Sequence, residues 1–167
     1  TFDCSMVGST NTVTLEVTDM GGNTSTCTTV VTVDDAAPIQ LNCPADETVS
    51  TDAGVCTYEM TLPNPFSGGN CSPMTVTFSL DSGATGTLPS TASFGIGQTE
   101  VTYTIVDQAG ATATCVWTVD VEDNENPTVT CPGPITLASC ADVLPTIAVT
   151  SSDNCGATTI SQAPAAG

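Results

Sequence analysis

The sequence contains no lysine, no arginine and no histidine. About one-quarter of an average domain is charged, so roughly 20 basic residues would be ordinary in a chain of this length. Nucleic-acid binding is excluded because it needs Lys and Arg to neutralise phosphates. A basic helix on a membrane surface is excluded for the same reason. Catalytic triads, Schiff bases and His-ligated metals also lack their residues, so the sequence predicts no enzymatic activity.

Aromatic residues and long hydrophobic runs are scarce as well. Aromatic residues make up 4 % of the 167 residues, and no stretch of 18 apolar residues occurs, which argues against membrane insertion. Nevertheless 40 % of the residues are hydrophobic, enough to form a core. No basic side chain balances the 18 Asp and Glu residues, so the net charge is −18. The sequence therefore predicts a strongly acidic folded protein.

Cysteine, by contrast, is abundant, with nine residues. None lies in a CxxC pair, and without histidine a zinc site would need cysteine alone. Disulfides in an oxidising compartment are the favoured interpretation, so the sequence predicts an extracellular or cell-surface location. The odd count leaves at least one cysteine to pair outside the chain or to remain free.

The chain repeats itself. Residues 13–34 match residues 101–122 at an offset of 88, which aligns Cys27 with Cys115. The further matches are Cys43-Pro44 with Cys131-Pro132 at the same offset, and Cys56 with Cys140 and Cys71 with Cys155 at an offset of 84. The predicted organisation is one complete repeat at 35–121, preceded by the back end of a repeat at 1–34 and followed by the front end of another at 122–167.

Apolar and polar residues alternate within each repeat, which is the periodicity of half-buried strands. The apolar rows predicted to point inward are Val13, Leu15 and Val17; Met74, Val76, Phe78 and Leu80; Val101, Tyr103 and Ile105; and Cys115, Trp117, Val119 and Val121. Threonine fits the wet face of such strands. Short strands and regular turns in repeats of about 87 residues predict an all-β fold of tandem immunoglobulin-like antiparallel β-sandwiches.

An ordered set of short motifs supports this fold. The motifs are Cys-Pro at 43–44, Gly-Val-Cys at 54–56, Asn-Cys at 70–71, Phe-Gly-Ile-Gly at 94–97, Val-Thr-Tyr-Thr-Ile-Val-Asp at 101–107, Ala-Gly at 109–110, and Cys115. In this order they resemble the hyalin-repeat (HYR) module, an immunoglobulin-like sandwich found in tandem in extracellular adhesive proteins. The Thr-rich form is similar to copies in long bacterial surface proteins. Two features depart from the pattern: Ala111 replaces the usual Asn, and Cys4 has no counterpart.

The sandwich order implied by this resemblance also implies disulfide partners. The first and last strands run parallel from the same end, so Cys43 and Cys115 are expected to meet. The spacing of 15 residues between Cys56 and Cys71 recurs in the next repeat and favours pairing within that loop. Such a small loop would give roughly 3 kcal/mol of stabilisation in the chain-entropy model.

Two further expectations concern the incomplete repeats. Cys140 and Cys155 would form the same small loop again. Cys27 and Cys131 would be the equivalent of Cys43 and Cys115 if two half-repeats came together. Cys4 is then left as the odd cysteine.

Carboxylates gather at the repeat junctions, which suggests a calcium site. The candidate ligands are Asp34, Asp35, Asp120, Glu122, Asp123 and Glu125, and the strand order brings the turn that contains Asp107 to the same end as the first two. Clustered hard oxygen ligands suit Ca²⁺, and cadherin-like tandem modules use such an arrangement. A cation would also relieve repulsion in a chain without basic residues. The alternative interpretation is a solvated acidic linker.

Two asparagines, Asn23 and Asn70, lie in Asn-X-Ser/Thr sequons typical of N-glycosylation. The Thr-rich strand faces could equally carry attached glycans or bind a glycan ligand. Solvated strand faces are the ordinary alternative.

The incomplete end repeats suggest a function. At the offsets above, residues 122–167 and 1–34 fit together almost without a gap as the two halves of one repeat. The sequence therefore predicts a building block of an extracellular filament, whose units self-associate head-to-tail by completing each other's sandwich. The units would be separate chains or periods of one long polypeptide. The alternatives are an adhesion module that binds glycan or protein ligands, an accessory module of a secreted hydrolase, and an arbitrary fragment.

Overall fold

The computed structural model describes residues 2–69, 71–139 and 142–164. Within these ranges the chain is all-β, as the sequence predicts, and a short 3₁₀ helix spans Cys4–Met6. The strands are β1 (Thr10–Thr18), β2 (Thr24–Thr32), β3 (Gln40–Leu41), β4 (Glu47–Ser50), β5 (Thr57–Thr61), β6 (Phe66–Gly68), β7 (Thr75–Leu80), β8 (Thr85–Thr87), β9 (Thr91–Gly95), β10 (Gly97–Val106), β11 (Thr112–Glu122), β12 (Thr128–Thr130) and β13 (Thr150–Ser152). The antiparallel sheets are those of an immunoglobulin-like, sandwich-like fold.

The core is built from alternate residues of the long strands. Val101, Tyr103 and Ile105 of β10 are fully buried, whereas the threonines between them are partly exposed. Strands β7 and β11 alternate in the same way. Because successive side chains of a strand point to opposite faces, one face of this sheet is apolar and the other is rich in threonine. The inward rows predicted for β10 and β11, and for Val76 to Leu80 of β7, are confirmed.

The contacts divide the chain into two compact units, which do not follow the repeat boundaries. The first unit is Thr1–Asp46, Thr61–Thr91 and Thr99–Thr118, and the second is Glu47–Met60, Ala92–Gln98 and Val119–Gly167. The largest sheet has the strand order β4-β11-β10-β7-β8.

In the first unit, β7 pairs antiparallel with β10, so that Val76 lies opposite Ile105. This unit also contains the β3–β6 pair and the β1–β2 hairpin. In the second unit, β4 runs parallel to the last residues of β11, with Glu47 opposite Val119. A parallel pair of this kind is what the predicted order of first and last strands requires.

The β1–β2 hairpin forms a two-stranded sheet of its own, with Leu15 opposite Cys27. The expectation of a buried row in β1 is wrong for Leu15 and Val17, which are 54 % and 70 % exposed. Alternation puts apolar side chains on one face of a strand, but only a second layer can bury that face. A two-stranded hairpin supplies no such layer by itself.

The turn of this hairpin has the same structure as the turn between β10 and β11. The N–H of Asp19 and that of Asp107 each donate to the carbonyl four residues later, at 2.9 and 3.1 Å. Gly22 and Gly110 have φ angles of +85° and +84°, a region that disfavours any residue with a Cβ atom. The repeat in the sequence is therefore a repeat of backbone structure.

Candidate functional site

Cys43 and Cys115 form a disulfide with their Cα atoms 5.8 Å apart. Each cysteine lies four residues before a member of the parallel pair Glu47 and Val119. Because the two strands run in the same direction, equal spacing from the cysteines preserves the register. The structure thus joins the two cysteines that the strand order implies.

The other two disulfides cross repeat boundaries. Cys4 bonds to Cys71 and Cys56 bonds to Cys155, with Cα separations of 5.4 and 4.8 Å. Both separations lie in the ordinary range for a disulfide. The expected pairing of Cys56 with Cys71 is therefore wrong, and each of these cysteines is bonded to a neighbouring repeat instead.

The physical reason is that Cys56 lies beside Cys155 in one compact unit and Cys71 lies beside Cys4 in the other. A constant spacing in the sequence does not bring two Cα atoms within the distance that a disulfide requires. The expected pairing of Cys140 with Cys155 is wrong as well, because Cys155 is bonded to Cys56; Cys140 itself lies outside the described residues. Cys4 is not the odd cysteine.

Cys27 and Cys131 are free and exposed. The pairing that the sequence predicts for two joined half-repeats is therefore not formed within this chain. Sequence reasoning missed the partners of Cys4 and Cys155, and the only available signal was that Cys4 has no counterpart in the repeat.

The structure brings together two of the predicted calcium ligands. One carboxylate oxygen of Asp35, one of Asp107 and the Sγ atom of Cys71 all lie within 4.8 Å of one another. Asp107 is only 6 % exposed, and its Oδ1 atom accepts a hydrogen bond of 2.9 Å from the N–H of Ala111. Two close carboxylates in a chain without cations repel each other.

Because residue 111 is an alanine, the turn between β10 and β11 has no side-chain hydrogen-bond donor for Asp107 at this position. In the equivalent turn, Nδ2 of Asn23 donates to Oδ2 of Asp19 at 2.9 Å, and this bond holds the pKa of Asp19 below its usual value. Ala111 cannot make that bond, and the donor that the described residues give to the Asp107 carboxylate is the backbone N–H of Ala111. The sulfur of Cys71 is already in a disulfide and suits a hard cation poorly. Two carboxylates fall short of the six to eight oxygens that Ca²⁺ takes, so calcium stays a prediction.

Two of the other junction carboxylates, Asp123 and Glu125, accept backbone hydrogen bonds in the segment after β11. Among the described residues, no group of three metal ligands includes Asp34, Asp120, Glu122, Asp123 or Glu125. Glu125 accepts a hydrogen bond of 2.7 Å from the N–H of Gly54, and Asp123 accepts one of 3.1 Å from the N–H of Glu125. These contacts order the segment that follows β11.

Of the two sequons, only Asn23 can be placed. It is exposed, but its Nδ2 atom, which would carry a glycan, is the donor to Asp19. Asn70 lies outside the described residues.

The core around Tyr103 and Trp117 offers no open binding surface. Their ring centroids are 6.4 Å apart and the rings are nearly parallel. Among the residues that the structure describes, neither the buried phenol OH nor the buried indole N–H has a hydrogen-bond partner of good geometry. Burial raises the pKa of Tyr103, and the neighbouring indole N–H opposes this shift. Trp117 is thus a core residue and not a platform for a sugar.

A family model, the HYR domain, matches residues 34–121, which is more than half of the chain. The chain belongs to the HYR domain family. HYR domains are extracellular, non-enzymatic modules of the adhesion type, and the three disulfides of this member suit that location. No curated protein and no solved structure matches the chain. In the described part of this HYR protein, no helix has the length and hydrophobicity needed to cross a bilayer.

Proposed function

We propose that the chain is a non-catalytic building block of an extracellular or cell-surface filament. In this filament the β1–β2 hairpin of one unit and residues 122–164 of its neighbour complete one sandwich. The observation that carries the proposal is the exposure of Val17 and Ile160, which are 70 % and 57 % exposed. Their equivalents in the complete repeat, Ile105 and Val76, are 0 % and 8 % exposed and lie opposite each other.

The remaining apolar residues of the two half-repeats support the same pairing. Leu15 is exposed on the hairpin, and the segment after β11 exposes Val129, Ile135, Leu137 and Val143. Burying one such side chain stabilises an interface by about 1.5–3 kcal/mol. Burying several of them together makes the associated half-repeats more stable than separate units, whose apolar faces are exposed to solvent.

The disulfides suit a mechanical role. Cys4–Cys71 and Cys56–Cys155 both cross a repeat boundary, so successive repeats are held together by covalent bonds within the chain. The contacts between units and the bonds within them would give a continuous, head-to-tail assembly.

The alternative is an adhesion module that binds glycan or protein ligands. Sugar-binding surfaces ordinarily present aromatic rings, whose faces pack against the ligand. All seven aromatic residues of this chain lie in the described part, and only Phe2 is exposed, at 45 %. The building-block role is therefore favoured.

The test is the mass of the 167-residue chain in solution, measured by light scattering over a range of protein and salt concentrations. We expect species at multiples of 16.8 kDa. High salt should favour them, since it screens the repulsion between acidic units. Val17→Thr and Ile160→Thr should each weaken association at least about tenfold, because a hydroxyl replaces a buried methyl group in the first and a buried ethyl group in the second.

The matched control is Thr18→Ser, which changes the residue next to Val17 on the opposite face of β1 and should leave association unchanged. A chain that stays monomeric at every concentration would overturn the proposal. Binding of that monomer to immobilised glycans would favour the adhesion module instead.

A further inference from the structure

Two exposed, free cysteines lie one in each half of the proposed junction. Cys27 lies in β2, directly opposite Leu15, on the hairpin. Cys131 lies just after β12, beside an open groove of about 500 Å³ whose apolar lining includes Ile135, Leu144 and Ile160. The side chains next to the thiols include exposed apolar ones, namely Leu15 for Cys27, and Ile135 and Ile160 for Cys131.

The complete repeat serves as a template for how two such halves meet. The equivalents of Cys27 and Cys131, at an offset of 88, are Cys115 and Cys43, and these two are bonded to each other. The same offset relates two hairpin turns that share the same backbone hydrogen bonds. Equivalent residues in equivalent surroundings should come equally close once the second half is present.

The parallel pairing of β4 and β11 fixes the register of the junction. Glu47 lies opposite Val119 and Val49 lies opposite Val121. Moved by 88 residues, these pairs place Ile135 opposite Val31 and Leu137 opposite Val33. In that register Cys131 and Cys27 each lie four residues before the pair Ile135 and Val31, and they lie opposite each other. Cys43 and Cys115 have the same position relative to Glu47 and Val119 in the complete repeat.

We propose that Cys27 of one copy and Cys131 of the next form an intermolecular disulfide, which makes the head-to-tail assembly covalent. This inference rests on the proposed function, because the thiols meet only if the half-repeats associate. The occupant of the hairpin face is thus a second copy of this chain. No basic residue is available to attract the acidic copies to each other, so apolar burial brings the thiols together and the S–S bond retains them.

The reaction is an oxidation of two thiols. One thiolate attacks a low-molecular-weight disulfide of the extracellular space and forms a mixed disulfide, releasing one small thiol. The second protein thiolate then attacks the mixed disulfide and releases the other small thiol. The two electrons lost by the protein thiols reduce the small disulfide, and the two protein thiol protons end on the released thiols.

The experiment uses the 167-residue chain and its Cys27→Ser and Cys131→Ser variants in a glutathione redox buffer, followed by non-reducing electrophoresis. The wild-type chain should give a ladder at multiples of 16.8 kDa. Each variant alone should remain a single band. An equal mixture of the two variants should stop at the dimer, because one chain then supplies only Cys131 and the other only Cys27.

The linked peptides must be identified by mass spectrometry after digestion with an Asp-specific protease and chymotrypsin, since the chain has no site for trypsin. Cleavage after Leu137 separates Cys131 from Cys140. A ladder joined through any other pair of cysteines overturns the inference, as does a covalent dimer of either variant alone.

The variant with both serines separates the inference from the proposed function. If it associates by light scattering and the wild-type chain gives no ladder, the disulfide is refuted while the assembly stands. If neither chain associates, both are refuted. If it associates and the wild-type ladder contains the Cys27–Cys131 peptide, both are supported.

Discussion

Cys56 is bonded to Cys155, 99 residues further along the chain and in the following repeat. A bond that closes a loop of about 100 residues stabilises a protein by about 4.7 kcal/mol in the chain-entropy model. We therefore expect the double variant Cys56→Ser, Cys155→Ser to unfold at a clearly lower urea concentration than the wild-type chain. The matched control is Cys27→Ser, which removes a free, exposed thiol and should leave the midpoint unchanged. Equal midpoints for all three chains would contradict the bond.

Because Tyr103 is buried, we expect the folded chain to lose stability at alkaline pH. Burial raises its pKa above the ordinary value of 10.0. Above pH 10 the unfolded chain therefore releases this proton more readily than the folded chain, so the free energy of unfolding falls as pH rises. Denaturation curves between pH 8 and 12 should show this slope in the wild-type chain. Tyr103→Phe should flatten it, and an unchanged slope in that variant would show that another group is responsible.

The glycine at position 86 in β8 makes room for an aromatic ring. A Cβ atom built there would lie 2.6 Å from Cε1 of Phe78. Gly86→Ala should therefore force Phe78 from its position and destabilise the fold by about 1–3 kcal/mol. Gly95→Ala in β9, where a Cβ atom would meet nothing within 4 Å, is the control. A calorimetric midpoint that falls equally in both variants would show that contact with the Phe78 ring is not the cause.

The calcium prediction is tested at Asp35 and Asp107. Millimolar Ca²⁺ should raise the melting temperature of the wild-type chain, because a cation relieves the repulsion between these carboxylates. Addition of a chelator should reverse the rise. Asp35→Asn should abolish the effect, whereas Asp81→Asn, on an exposed turn, should retain it. No effect of Ca²⁺, or an equal effect in both variants, would favour a solvated acidic linker.

Much of the fold could be predicted from local patterns. The alternation through Val101, Tyr103 and Ile105 gives the buried face correctly, because the side chains of a strand point to alternate faces whatever surrounds it. The order of the strands gives the approach of Cys43 to Cys115 and of Asp35 to Asp107. These features depend on the order of the strands, which could be inferred from the internal repeat in the sequence.

The rest depends on which surfaces meet, and a pattern of spacing does not contain that information. Leu15 and Val17 have the alternation of core residues, yet a hairpin without a facing layer leaves them in solvent. Similarly, Cys56 and Cys71 keep a spacing typical of a local loop, but their partners come from adjacent repeats. Distance in space, and not regularity in the sequence, selects a disulfide partner.

The crossing disulfides limit how far the chain can be stretched. The shortest covalent route from Cys4 to Cys155 goes through Cys71, back along 15 residues to Cys56, and then across the second bond. With the disulfides intact, even a fully unfolded chain extends about 60 Å between these ends, whereas the reduced chain would extend about 500 Å. Tension therefore cannot draw Cys4 and Cys155 further apart than this limit until a reductant opens the two bonds.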